Sequence, residues 1–147
     1  MALINYLSAK GRLAKKLNSK GEEISSYPMV KNFTSHKYQV QNIKELRDTM
    51  TYHAPLGHCL VKGALSKDLV NESRAGKTSA VESTHYVCLD YDGKKVTADL
   101  DGLFSQIIPG FVDIDRIVQY SSKAGFNTHN SHRAHIFMWL ETPMTPS

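Results

Sequence analysis

Apolar positions along the chain follow two periods. In 133–141, Ala134, Ile136, Met138 and Leu140 alternate with Arg133, His135, Phe137 and Trp139, which predicts a strand with one clean core face. The run 85–92 also alternates: Tyr86, Cys88, Asp90 and Asp92 share one face, and His85, Val87, Leu89 and Tyr91 the other. Helical spacing occurs twice. Ile43, Leu46 and Met50 fall at i, i+3 and i+7 within 41–54, closed by Pro55 and Gly57. Leu100, Leu103, Phe104, Ile107 and Ile108 mark a helix over 97–108, with Thr97 as N-cap, Asp99 in the first turn and Pro109-Gly110 as the stop. Shorter apolar runs predict strands at 36–40, 57–63 and 115–122, with a polar connector at 64–83 and a loop from Lys123 to Ser131. From residue 36 the order is strand, helix, strand, connector, strand, helix, strand, strand. This predicts one α+β domain over 36–147, mainly an antiparallel sheet with helices packed on one face. Residues 1–35 form a poorly defined N-terminal segment, in which Leu3, Ile4, Leu7, Leu13 and Leu17 suggest a short helix broken at Gly11.

Composition adds bounds. The 147 residues make one domain with a sizeable core, and 41 % hydrophobic against 22 % charged is an ordinary globular balance. No apolar run approaches the ~20 residues that span a bilayer, and no signal-peptide pattern opens the chain. The expectation is a soluble cytoplasmic protein, of a bacterial or virus-infected cell, with no membrane partner. The net charge of +4 permits a polyanionic partner, and residues 10–20 hold Lys10, Arg12, Lys15, Lys16 and Lys20 without an acid. That stretch reads as a solvated face or as a nucleic-acid contact. Cys59 and Cys88 sit in apolar runs as free thiols, with no zinc-ligand spacing around them.

The candidate chemistry starts at Asp90 and Asp92, two carboxylates pointing together at a strand end. Their repulsion is relieved by a cation between them, and hard oxygen ligands favour Mg2+ or Mn2+; the plainer reading is an acidic turn before Gly93. On the last strand, Arg133 and His135 share a face, as an anion site or as a rim arginine and a satisfied core histidine. Between these strands, Ser121, Ser122 and Lys123 in "YSSKAGF" suit close approach to a phosphate or sugar, or form an ordinary polar turn. Gly76-Lys77-Thr78 is not a phosphate loop, because Asn71 stands where the motif needs glycine. Arg74 and Lys77 remain candidates for phosphate contact.

A strand ending Asp-x-Asp, then "YSSKAGF", then "RAHIF" resembles the archaeo-eukaryotic primase superfamily, in particular the primase-polymerase domains of phages and mobile elements. The resemblance covers roughly residues 55–141. It implies an RRM-like, primase-like catalytic core and a nucleotidyltransferase of DNA replication. By this resemblance Asp90 and Asp92 bind two divalent ions (Mg2+ or Mn2+), and His135, with Arg133 and Lys123, holds the triphosphate. Ser121 and Ser122 line the nucleotide pocket, and Lys62, Arg74 and Lys77 track a single-stranded DNA template. Nucleoside triphosphates, the template and a helicase domain or subunit are the implied partners. Two departures stand out. Arg133 occupies the usual serine of the second motif, with Ser131 two residues earlier. The chain ends at Ser147 before a third acidic motif, which reads as a fragment or a shortened relative that binds nucleotide or DNA without synthesis. The reading requires the His135 imidazole to face the acids on one side of the sheet across a triphosphate-sized gap.

Other readings compete. A non-catalytic single-stranded nucleic-acid-binding module would use Tyr86, Phe137 and Trp139 as stacking platforms. A rolling-circle nuclease would draw on Tyr120 and paired histidines, but His132 and His135 fall on opposite faces of a strand. A zinc site from His129, His132 and His135 needs helical spacing in a segment of loop composition.

Overall fold

The computed structural model describes residues 1–79, 82–95, 100–122, 124 and 131–145; the side chains of residues 92–95, 100, 101, 103, 107, 131 and 132 lie outside that description. The elements in chain order are β1 (Ala2–Ser8), β2 (Lys16–Leu17), β3 (Glu23–Ser25), β4 (Asn32–Val40), α1 (Ile43–His53), β5 (Cys59–Leu60), β6 (Ala64–Leu65), β7 (Glu72–Ser73), β8 (Thr78–Ser79), β9 (Thr84–Lys95), α2 (Leu100–Ile107), a 3-10 turn (Pro109–Phe111), β10 (Arg116–Tyr120) and β11 (Ser131–Met144). Every strand pairing among the described residues is antiparallel. The α+β, mainly antiparallel character expected from the pattern is what the chain adopts. No helix among the described residues is long and apolar enough to cross a membrane.

The pairing divides the strands into more than the single sheet the pattern suggests. One sheet runs β5-β1-β4-β7, a second runs β10-β11-β9, and β2-β3 and β6-β8 form two small ribbons. The N-terminal segment is a correction. Leu3, Ile4 and Leu7 lie on a strand, not a helix, and β1 is hydrogen-bonded to β4 on one side and β5 on the other. Asn5, Tyr6 and Leu7 are all buried, so this strand is covered on both faces and shows no alternation.

Helix α1 starts where its caps dictate. The Asn42 carboxamide oxygen accepts the Glu45 amide at 3.0 Å, and the Glu45 carboxylate accepts the Gln41 amide at 2.8 Å, a reciprocal cap. Leu46 and Met50 then enter a core with Ala2, Ile4, Tyr6, Val40, Tyr86 and Phe137. This cluster joins the four-stranded sheet to the Tyr86–Phe137 side of β9 and β11. A second cluster packs Phe104 of α2 against Ala134, Ile136 and Met138, flanked by Val87, Leu89, Tyr91 and Val118. Leu46 and Met50 of α1 thus share a cluster with Phe137, and Phe104 of α2 shares one with Ala134, Ile136 and Met138, at alternate positions along β11. Thr97 and Asp99, the expected cap and first-turn acid of α2, lie outside the described residues.

Two hydrogen bonds strap the connection after β5 across the sheets. The Val61 amide donates to the Asn5 carbonyl at 2.8 Å, and the Tyr86 hydroxyl donates to the Val61 carbonyl at 2.8 Å. Val61 and Tyr86 are both buried, so this strap fixes where the next residue, Lys62, emerges.

Candidate functional site

Strands β9 and β11 are neighbours in register, with Asp90 opposite His135, Tyr91 opposite Ala134 and Asp92 opposite Arg133. Directly opposed residues of an antiparallel pair share a face. Asp90 and His135 accordingly stand on the same side, and the His135 Nε2 lies 3.4 Å from an Asp90 carboxylate oxygen. This corrects one expectation. The imidazole touches the acid instead of facing it across a triphosphate-sized gap, because the two strands are adjacent in the sheet. The opposite faces carry Leu89 and Ile136 into the α2 cluster, which keeps the polar pair on the other side.

Above this pair is a cleft of about 220 Å³ lined by Lys15, Tyr27, Asp90, Tyr91, Ser121, Ser122, Arg133, Ala134 and His135. Of the residues singled out from sequence, Asp90, Ser121, Ser122, Arg133 and His135 thus converge. Ser121 follows β10 and is held by its amide, which donates to the Arg133 carbonyl at 2.9 Å. Its hydroxyl is buried and makes no hydrogen bond to the described residues. A buried hydroxyl without a partner is costly, and a ligand in the cleft would supply one. Lys123 and the side chain of Asp92 lie outside the described residues; the backbone register alone places Asp92 beside Arg133.

Lys62, expected on a template track, stands beside the cleft next to Asp90. Its ammonium lies 3.9 Å from the second Asp90 oxygen, with both side chains more than half exposed. Solvent screens such a pair, so it adds little to stability and leaves both groups available to a ligand. Beneath them, burial pushes the Cys88 thiol up from its ordinary value, with Asp90 adding to that rise and Lys62 opposing it. Cys88 packs, partly buried, against the core cluster that holds Tyr86 and Phe137. Lys15 and Arg133 line the cleft and Lys62 reaches Asp90 from beside it, while Glu23 pairs with Lys15 at 3.0 Å.

Arg74 and Lys77 sit elsewhere, in the turn that links β7 of the four-stranded sheet to β8 of the β6–β8 ribbon. The Lys77 amide donates to the Arg74 carbonyl at 3.0 Å across a turn in which Gly76 takes φ +68°. Lys77 and Lys67 both pair with Glu72 and hold its carboxyl down to about 2. The Gly-Lys-Thr sequence is therefore the end of a tight turn that runs into β8, and not a phosphate loop, in keeping with Asn71 where the motif needs glycine. Arg74 is exposed there.

The aromatics proposed as stacking platforms are differently placed. Tyr86 and Phe137 are buried in the core, and Trp139 packs beside it with its ring stacked on His85. Tyr120 is exposed on β10. His129 and the side chain of His132 lie outside the described residues, so the three-histidine arrangement rests on His135 alone. Among the described residues no group of three or more His, Cys, Asp or Glu side chains is disposed to hold a metal ion.

Lys15 and Tyr27 escaped the sequence reading as site residues. The only signals were an acid-free basic run and a tyrosine before Pro28, and neither says that the N-terminal segment folds across β9 and β11. Comparison of the chain with protein-family models, with curated proteins and with solved structures finds no match.

Proposed function

We propose that the cleft binds a nucleoside triphosphate and that the chain carries a primase-polymerase-type nucleotidyltransferase site acting on a single-stranded DNA template. The finer fold reading goes with it: β9–β11 are the RRM-like, primase-like catalytic sheet, with the first motif on β9 and the second on β11. The observation that supports this most is the cross-strand pair Asp90–His135 at the floor of a cleft whose rim holds Arg133, Ser121 and Ser122.

The donor chemistry fits a hard divalent ion. The Asp90 carboxylate is 62 % exposed and open to the cleft, and Asp92 follows at the next same-face register position. Mg2+ or Mn2+ held by these acids would supply Lewis-acid activation of the transferring phosphoryl group and of the attacking hydroxyl. The chain's own groups do the rest. The Arg133 guanidinium offers a planar fork to phosphate oxygens, and His135 offers a second donor beside it. Lys62, now facing Asp90, would turn its ammonium toward the phosphates once Asp90 is engaged. Ser121 would donate its hydroxyl to a phosphate or sugar oxygen.

The rival stacking-platform reading is weakened by the burial of Tyr86 and Phe137. The discriminating experiment is Mn2+-dependent incorporation of labelled nucleotides on a primed single-stranded template, run beside equilibrium binding of the same template. Asp90→Ala abolishes incorporation and leaves template binding intact under this proposal. Incorporation by Asp90→Ala at the wild-type rate would falsify it. A chain that binds template but neither nucleotide nor Mn2+ points to the non-catalytic module.

A further inference from the structure

Part of the cleft lining comes from the N-terminal segment, which adds an exposed tyrosine ring and a lysine to residues of β9, β11 and the segment after β10. Tyr27 lines the cleft and is 56 % exposed. Its position is built, not incidental. The β2–β3 ribbon pairs Lys16 with Ser25 and Leu17 with Glu23. Its turn is closed by the Asn18 side-chain oxygen, which accepts the Lys20 and Glu22 amides at 2.9 Å each. Glu23 holds Lys15 at 3.0 Å and also accepts the Ser26 hydroxyl. The Lys15 ammonium then lies 5.4 Å from the Tyr27 ring centre, a cation–π contact to a ring that is itself exposed. Pro28 restricts Tyr27 to extended backbone, which limits the conformations of the segment that carries the ring.

We infer that Tyr27 is the platform on which the base of the bound nucleotide stacks, while Lys15 contacts its phosphates from the same wall. This rests on the triphosphate reading of the β9–β11 floor. The chemistry suits the division. Asp90, Arg133 and the two serines can recognise phosphate and sugar, while the His135 imidazole is already engaged by Asp90 at 3.4 Å and edge-on to Phe137. Tyr91 also lines the cleft, but it packs with the α2 cluster. An aromatic platform accepts every base, because each has a π-face, so this wall confers affinity for nucleotides without selecting among them.

The test is calorimetric titration of the full chain, at fixed Mn2+, with ATP and separately with inorganic tripolyphosphate. Wild type binds both. Tyr27→Ala weakens ATP by about tenfold and leaves tripolyphosphate unchanged, whereas Tyr27→Phe keeps wild-type affinity for both. Lys15→Ala weakens both ligands. Unchanged ATP affinity in Tyr27→Ala overturns the inference while the phosphate site stands. Equal losses for ATP and tripolyphosphate also overturn it, since the ring would then only support the wall. A loss confined to a single-stranded oligothymidylate assigns the ring to the template and overturns it as well. Failure of wild type to bind either ligand removes the triphosphate reading itself, and the stacking role with it.

Discussion

Replacing His53 with phenylalanine tests whether the fold is built around a neutral imidazole. His53 closes α1 and is 1 % exposed. Its ring stacks on Tyr6 at 3.9 Å, with Tyr38 and Tyr52 edge-on and His36 tilted at 5.7 Å. Its Nδ1 faces the Nδ1 of His58 at 2.8 Å, a bond in which one ring must accept. Burial, and then the charges His58 and His36 would carry, push the His53 pKa from 6.5 down to about 4. The unfolded chain therefore binds more protons between those values, and stability falls as the pH is lowered through that window. The single-site linkage expression gives a loss of about 2 kcal/mol from pH 7 to pH 5 and about 3 kcal/mol by pH 4. His58 is shifted in the same direction, so its contribution adds to the loss. Urea unfolding of wild type and His53→Phe at pH 7, 6 and 5 measures it. The variant begins lower at pH 7, because phenylalanine cannot bond His58, by about 1 kcal/mol. Its stability then declines by about 2 kcal/mol less than wild type over the same interval. Parallel profiles for the two proteins would refute the reasoning.

Two further substitutions probe the scaffold. Gly57 has φ +70°, and a Cβ there would sit 2.8 Å from the Arg12 Cβ, so Gly57→Ala should destabilise by about 2 kcal/mol from backbone strain and the clash together, read as a lowered urea midpoint. Because the Leu13 amide donates to the Gly57 carbonyl at 2.9 Å, the same variant should also loosen the segment that carries Lys15 and show faster amide exchange at Leu13. Tyr86→Phe removes the strap to the Val61 carbonyl and leaves that buried oxygen unpaired, costing about 1–3 kcal/mol in urea unfolding; an unchanged midpoint contradicts the strap.

The parts of this structure that were legible in the sequence share a local cause. β9 and β11 each have one face of mainly apolar residues and one of mixed polarity, and that alternation sufficed to put Asp90 and His135 each on the mixed face of its own strand. Helix α1 announced itself through Leu46 and Met50 and stopped where Pro55 and Gly57 required. β1 was illegible because a strand covered on both faces loses its alternation, and Leu3, Ile4 and Leu7 then satisfy helical spacing just as well. The direct contact of Asp90 with His135, in place of a gap, depends on which strands are neighbours, and strand order is not written in periodicity. Lys15, Tyr27 and the His36–His53–His58 cluster were hidden for the same reason. Each is assembled by contacts between elements far apart in the chain, and none of its members carries a local mark of its partners.

The pairing of Asp90 and His135 on one sheet face as the floor of a metal–triphosphate site is the centre of the account. Titration of Mn2+ by electron paramagnetic resonance, with and without ATP, tests it most directly. Relative to a protein-free Mn2+–ATP control, wild type should deepen the quenching of the free-ion signal, Asp90→Ala should lose that extra quenching, and His135→Ala should need at least tenfold more ATP to reach it. Quenching by Asp90→Ala indistinguishable from wild type would contradict the account.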